Sequence, residues 1–402
     1  MKQKPKILFV ITQGGPWGGA QKYVTDLAEG IQDEFLPIVA VGEPNGMPDL
    51  QYRLKDNPEI DVIQLKHLRR DISPIHDFLT IFELRRLCKK IKPDIVHLNS
   101  TKAGVLGTFA AYTLYPIPYT LNKKPYRLVY TVHGWVFHEP MGKMRRCLYR
   151  KLEQWTAKHK SKIIVLSSHD ESSGKLIGIG AHQLAVIPPG IDKRPHMLTR
   201  HDARALIIEH LGINVPHDAF WFGTIANFYE TKGLDVLIRA FAEQIKTMPQ
   251  AQLILIGDGP ERESLTRLRE DLHLLDRIHF AGFLSDAPRY LPACDIFVLP
   301  SRKEGLPYTI LEAAYHGIPI IATDVGGVAS FIQHKKTGII VKAGNILELG
   351  IALSDAYQHT DAYRTLAKNA TTSGILERFS KERMANDTMA LYRSLLQAEE
   401  SH

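Results

Sequence analysis

The sequence predicts an α/β protein of two domains, each a doubly wound parallel sheet. Three observations carry this prediction. Continuous apolar runs alternate with helix-period patterns along the whole chain, as buried parallel strands joined by crossover helices require. At 402 residues the chain is long enough for two cores. Its charge also divides: residues 1–200 carry 30 Lys+Arg against 18 Asp+Glu, and residues 201–402 carry 20 against 25.

In the first half, residues 6–12 read as a strand running into the glycine loop Gly14-Gly15-Pro16-Trp17-Gly18-Gly19. Tyr23, Val24, Leu27 and Ile31 then recur at helical spacing and predict a helix over 21–31. Further strands are expected at 37–41, 61–65, 94–98, 127–132 and 162–166, with helices at 78–91, 102–114 and 141–159. Residues 185–192 read as the last strand and turn. In the second half the strands are expected at 220–226, 252–256, 278–280, 296–299, 318–322 and 338–341. The domains are accordingly expected at 1–195 and 218–379. A linker would occupy 196–217, and a C-terminal helical segment 380–402.

No apolar run approaches the ~18–20 residues of a membrane span. The short run Ile7-Leu-Phe-Val-Ile11 meets glycines and no cleavage-site pattern, so a first strand is expected and not a signal peptide. Three scattered cysteines (Cys88, Cys147, Cys294) suggest a reducing, cytoplasmic setting without structural disulfides. The basic runs Arg85-Arg86…Lys89-Lys90…Lys92 and Lys143…Arg145-Arg146…Arg150-Lys151 read either as solvated helix faces or as contacts to an anionic surface. With the asymmetry between halves, an anionic membrane is the expected partner. Nucleic acid is not expected, because no zinc-finger spacing or RNA-binding aromatic motif occurs.

The densest functional signal is Ser301-Arg-Lys-Glu304-Gly-Leu-Pro-Tyr-Thr-Ile-Leu-Glu312-Ala-Ala-Tyr-His-Gly317. It follows the apolar run Asp295-Ile-Phe-Val-Leu-Pro300, and Gly305 and Pro307 break the backbone before a helix expected to start near Tyr308 or Thr309. Such strand–loop–helix units bind ligands beyond the carboxyl ends of their strands. Glu312 lies between Ile310-Leu311 and Ala313-Ala314, which predicts burial and a need for hydrogen-bond donors such as ribose or hexose hydroxyls. Backbone N–H groups at the helix start suit an anionic phosphate.

Glu304-Gly305-Leu306-Pro307, Leu311-Glu312-Ala313, Gly317-Ile-Pro319 and Ala322-Thr-Asp-Val-Gly326-Gly327 together resemble the E-x7-E signature of glycosyltransferase family 4 (glycosyl transferases group 1). The resemblance implies the GT-B fold: two Rossmann-like domains facing a cleft, with the last helix crossing back to the first domain. It implies a retaining, metal-independent hexosyltransferase that uses a nucleotide-sugar, with a UDP-sugar the expected donor. Glu304 would touch donor-sugar hydroxyls, Glu312 would hold the nucleotide ribose, and amides around Gly305, Leu306 and Pro307 would meet phosphate or sugar oxygens. Lys232 would meet the diphosphate. The family's usual arginine five residues earlier is here Asn227, which donates a hydrogen bond but brings no charge. Gly15, Gly18 and Gly19 would let the backbone approach the donor phosphate or the acceptor, while Gly257, Phe283 and Leu284 would border the nucleotide.

His133, in Thr131-Val-His-Gly134, would hydrogen-bond a donor-sugar hydroxyl or orient the acceptor, without acting as general base. His97 stands on an acceptor-side strand and reads equally as structural. Ser330 replaces a glutamate frequent in the family. Pro16 spoils a G-x-G-x-x-G match, so no nicotinamide cofactor is expected. No D-x-D pair occurs, and neither a metal nor another cofactor is expected.

The resemblance points to a glycan or lipid-linked acceptor at the inner face of the membrane in bacterial surface-polysaccharide biosynthesis. The segment 112–126 reads either as an acceptor contact or as a variable surface loop. Two other readings stay open: a sugar-nucleotide epimerase of similar build, and a non-catalytic sugar-nucleotide binding protein.

Overall fold

The computed structural model describes residues 4–15, 17–42, 49–114, 126–192, 198–216 and 218–397. Pro16 of the glycine loop and most of the segment 112–126 lie outside the described residues. The chain forms two units, one of Met1–Gly190 with Ser380–His402 and one of Ile191–Phe379.

In the first unit β1 (Lys6–Ile11), α1 (Gly19–Gly30), β2 (Leu36–Val41), α2 (Asp49–Leu54), β3 (Asp61–Gln64), α3 (Pro74–Ile91) and β4 (Ile95–Leu98) are followed by α4 (Thr101–Leu114) and β5 (Arg127–Val132). The series closes with α5 (Lys143–Ala157), β6 (Lys162–Val165), α6 (Ser168–Leu176) and β7 (Leu184–Val186). The strands lie in the order β3-β2-β1-β4-β5-β6-β7, all parallel. The central strands are apolar along their length because helices cover both faces of such a sheet; β1 (KILFVI) is buried from its second residue on. Strand order reverses between β1 and β4, and this switch point lies beside the glycine loop that follows β1.

The second unit begins with α7 (Arg200–Leu211), inside the stretch expected to be a linker. Its Ala203 and Ile207 pack into a cluster with Trp221, Ile254 and Ile256, and the buried Arg204 donates to Asp295 (2.7 Å) and to the carbonyls of Ala293 and Ala219 (both 2.9 Å). Then follow β8 (Phe220–Ile225), α8 (Leu234–Gln244), β9 (Ala251–Ile256), α9 (Arg262–Asp271), β10 (Ile278–Gly282), β11 (Ile296–Leu299) and α10 (Tyr308–Tyr315). The remaining elements are β12 (Ile320–Thr323), α11 (Val328–Phe331), β13 (Ile339–Val341), α12 (Ile346–Gln358) and α13 (Thr360–Thr372).

All six strands of this unit are parallel, in the order β10-β9-β8-β11-β12-β13, with the reversal between β8 and β11. Side chains alternate between the faces. Phe222, Leu253 and Leu255 face one core, while Trp221, Ile254 and Ile256 face the other.

The last helix, α14 (Lys381–Gln397), belongs to the first unit and packs on α1. Its Tyr392 is fully buried, edge-on to Phe35 at 5.6 Å, with its hydroxyl 2.5 Å from His97 Nδ1 on β4. Lys381 pairs with Glu29 (2.8 Å), and Arg127 Nε donates to the Leu395 carbonyl (3.2 Å).

Candidate active site

The second unit gathers its polar side chains where strand order reverses, beyond the carboxyl ends of β8 and β11, the place where open α/β sheets bind ligands. The loop after β8 makes a single turn over Glu230–Lys232 and ends at Gly233 with φ +61°. A Cβ at Gly233 would lie 2.3 Å from the Pro300 carbonyl oxygen, so only glycine lets the two loops meet here. The Thr231 carbonyl accepts the N–H groups of Arg302 (2.7 Å) and Lys303 (3.3 Å). Arg302 forks onto both oxygens of Asp235 at 2.7 and 2.6 Å.

This bracing brings two of the expected catalytic residues together. Lys232 Nζ donates to Glu304 Oε1 (2.7 Å), and the Ser301 hydroxyl donates to the same oxygen (2.6 Å). The Glu304 side chain is only 8% exposed, so the paired lysine and the hydroxyl supply what burial of its charge demands. Gly326 has φ +54°, and a Cβ there would stand 2.1 Å from the Glu304 carbonyl. Gly327 N–H donates to the Gly305 carbonyl (2.6 Å). The glycine doublet therefore buttresses the backbone that carries Glu304. Glu312 lies in α10 and is buried, as are Gly305 and Leu306, and Pro307 precedes the helix.

Around this centre, Gly257 N–H donates to the Gly282 carbonyl (2.8 Å), which ties the turn after β9 to the end of β10. Phe283 is 61% exposed just past that strand, while Leu284 packs against the cluster around Trp221. The Asn227 carbonyl accepts the Tyr229 N–H (2.8 Å). The Ser330 hydroxyl donates to the Gly327 carbonyl, which turns it back onto its own loop. Ser301, Arg302 and Asp235 do not stand out in the sequence as site residues. The available signal for Ser301 is its place at the carboxyl end of a buried strand.

In the first unit the glycine loop at the β1–β4 switch point is closed by α2. Leu50 N–H donates to the Gly14 carbonyl (2.9 Å), the Asp49 carboxylate accepts Trp17 N–H (2.8 Å), and Arg53 stacks over the Trp17 ring at 4.0 Å. Gly15 lies against Asp49, and Gly18 and Gly19 open α1.

His133 follows β5, with its ring edge-on to Tyr23 at 5.0 Å. Its Nε2 is shielded from solvent and has no hydrogen-bond partner among the described residues. Burial lowers its pKa to about 4, so the imidazole is neutral at neutral pH. A buried imidazole nitrogen left unpaired is costly unless a ligand group meets it.

His97 stands differently. It is fully buried, with Nδ1 against Tyr392 Oη and Nε2 2.7 Å from Thr131 Oγ1, and burial followed by the neighbouring His133 lowers its pKa to about 3. Of its two readings the structural one holds: His97 fastens α14 to the sheet.

Two parallel α/β units, each with polar side chains collected beyond its strand ends, have the architecture of the GT-B fold. The chain belongs to the glycosyl transferases group 1. Residues 209–373 match that family model, and residues 17–194 match the model of Glycosyltransferase Family 4.

The chain is 30% identical over 285 residues to the UDP-Gal:alpha-D-GlcNAc-diphosphoundecaprenol alpha-1,3-galactosyltransferase of Escherichia coli, covering 69% of this chain and 70% of that one. It is 24% identical to the capsular polysaccharide biosynthesis glycosyltransferase CapM of Staphylococcus aureus, covering 86% and 87%. Among solved structures, Anabaena Alr3699/HepE in complex with UDP-glucose superposes with a TM-score of 0.79 at 23% identity, over 97% of this chain and 99% of that one. The protein is thus a transferase, and the epimerase and binding-protein readings give way.

Proposed function

We propose that the protein transfers a hexose from a UDP-sugar to a lipid-linked glycan acceptor, with retention of anomeric configuration and without a metal, at the cytoplasmic face of the membrane during surface-polysaccharide synthesis. The observation that carries this reading is the Lys232–Glu304 pair at the switch point of the second sheet: it joins one cation suited to a diphosphate and one carboxylate suited to sugar hydroxyls. The names of the relatives supply the substrate classes. The Escherichia coli enzyme is named for UDP-Gal and a diphosphoundecaprenol-linked sugar, and the Anabaena structure contains UDP-glucose.

In this reading the bond between the sugar C1 and the β-phosphate oxygen breaks with its electron pair passing to the leaving diphosphate. Lys232 and the amides at the start of α10 oppose the charge that builds there. The acceptor oxygen forms the new bond to C1, and its proton passes to the departing phosphate, so no side-chain base is required. Glu304 orients the sugar through its hydroxyls, and Glu312 holds the ribose. In the first unit, the unpaired His133 Nε2 receives a hydroxyl of the acceptor. A panel of UDP-hexoses offered with a polyprenyl-diphosphate-linked sugar tests the reading, with the product's anomeric configuration read by NMR. Glu304→Ala should lower transfer by about 10²-fold or more while the protein stays folded by circular dichroism; an unchanged rate refutes the site.

A further inference from the structure

One face of the first sheet carries α3, α4 and α5 side by side, with α3 packed on α4 and α4 on α5. α3 is apolar on two sides. Its inner side sends Leu84 and Cys88 into the core. Its outer side presents Ile75, Phe78, Leu79 and Phe82, spaced as one helical stripe, with exposures of 73, 60, 38 and 43%. A surface helix ordinarily turns polar residues outward, and a contiguous exposed apolar patch marks a contact surface. On α5, Met144 and Leu148 are exposed as well, at 88 and 65%.

Cations follow the patch along α3 and recur on α5. α3 carries four basic side chains in its second half and α5 carries five, against two and one acidic ones. Each of those three carboxylates is engaged elsewhere. Asp77 pairs with Lys102 (2.6 Å), Glu83 accepts the backbone N–H groups of Lys66 and His67 (2.7 and 3.1 Å), and Glu153 is buried beside Lys160. The outer face therefore combines an apolar ridge with a positive rim, the pairing that an anionic lipid surface recognises. A second copy seated on this face would set cation against cation.

We propose that the outer face of α3 docks on an anionic bilayer, with Phe78 and Phe82 entering the headgroup layer. Their rings stand edge to face at 4.8 Å, and Arg85 lies over Phe82 at 5.6 Å, within reach of lipid phosphates. The purpose of this docking, though not the surface itself, rests on the lipid-linked acceptor reading above.

The test is sedimentation of the full chain with phosphatidylglycerol-containing vesicles at low salt, against vesicles of phosphatidylcholine alone. Wild type should sediment with the anionic vesicles only. Phe78→Ser/Phe82→Ser should lower the bound fraction by about tenfold, and Arg86→Glu/Lys89→Glu by a similar factor. Thermal stabilisation by UDP should be the same in both variants as in wild type, which separates lost docking from lost folding. Wild type that stays in the supernatant overturns the proposal, as does a Phe78→Ser/Phe82→Ser variant that sediments like wild type. A wild-type dimer made monomeric by that variant, with vesicle binding unchanged, overturns it too. Protein that sediments as described yet transfers nothing to a lipid-linked sugar keeps the docking face and refutes the acceptor reading.

Discussion

Lys232 Nζ lies 2.7 Å from Glu304 Oε1 across 72 residues of sequence, and the Ser301 hydroxyl completes the contact on the same oxygen. The pair keeps the charge of a mostly buried carboxylate compensated. Removing one partner strands the other. Lys232→Ala and Glu304→Ala should each lower kcat by about 10²-fold or more, and the double variant should fall far short of the product of the two losses, because residues acting as a unit are not additive. Steady-state kinetics of the three variants decide this; a multiplicative double loss would mean that the two act independently.

Gly326 gives a second test. A Cβ there meets the Glu304 carbonyl at 2.1 Å in a left-handed backbone conformation. Gly326→Ala should destabilise the protein by about 1–3 kcal/mol and displace the loop that carries Glu304. Weaker UDP binding by calorimetry together with a lower melting temperature is the expected outcome.

Acid should unfold the first unit through its histidines. Burial lowers His97 from 6.5 to about 3 and His133 from 6.5 to about 4, so the native state refuses protons that the unfolded chain accepts. Their contribution is complete above pH 6.5, falls as the pH drops below that value, and is lost near the folded pKa values. Each histidine should steepen the decline by up to about 1.4 kcal/mol per pH unit. Urea midpoints across this window measure the effect, and a folded His97→Gln variant should show a shallower fall.

Chelation tests the expected independence from metal. Transfer should be unchanged in excess EDTA; abolition with rescue by Mg²⁺ would require a carboxylate-held cation in place of the role given to Lys232.

The clasp at Tyr392 is separable from catalysis. Tyr392→Phe removes the hydroxyl that faces His97 and should cost about 1 kcal/mol or somewhat more, since it leaves a buried nitrogen unpaired. Faster amide exchange in α14, with kcat little altered, is the expected signature.

Strands were the most legible part of the fold, because parallel strands covered on both faces are continuous apolar runs; the elements 127–132 and 296–299 match their expected limits. α2 and α6 were not foreseen. The first has only six residues, and SHDESSGKL in the second holds a single large apolar side chain, so neither shows a helical stripe. α7 lay in a region expected to be a linker, and it is fixed by Arg204 and Asp295, 91 residues apart. In the site, Glu304, Lys232 and the Gly326-Gly327 doublet stood out as local patterns. The contact between Lys232 and Glu304, the Ser301 hydroxyl and the bond from His97 to Tyr392 did not, because each is made by topology and not by neighbours in sequence.

The return of α14 to the first unit sets an order on biosynthesis. The first sheet is translated early, yet Tyr23 and His97 acquire their cover from α14 only after the 189-residue second unit, Ile191–Phe379, has been made. Until then the nascent first unit carries an open seam that chaperones and proteases can read. A ribosome that stops before residue 381 releases both sheets without α14, and with Tyr23 and His97 left uncovered.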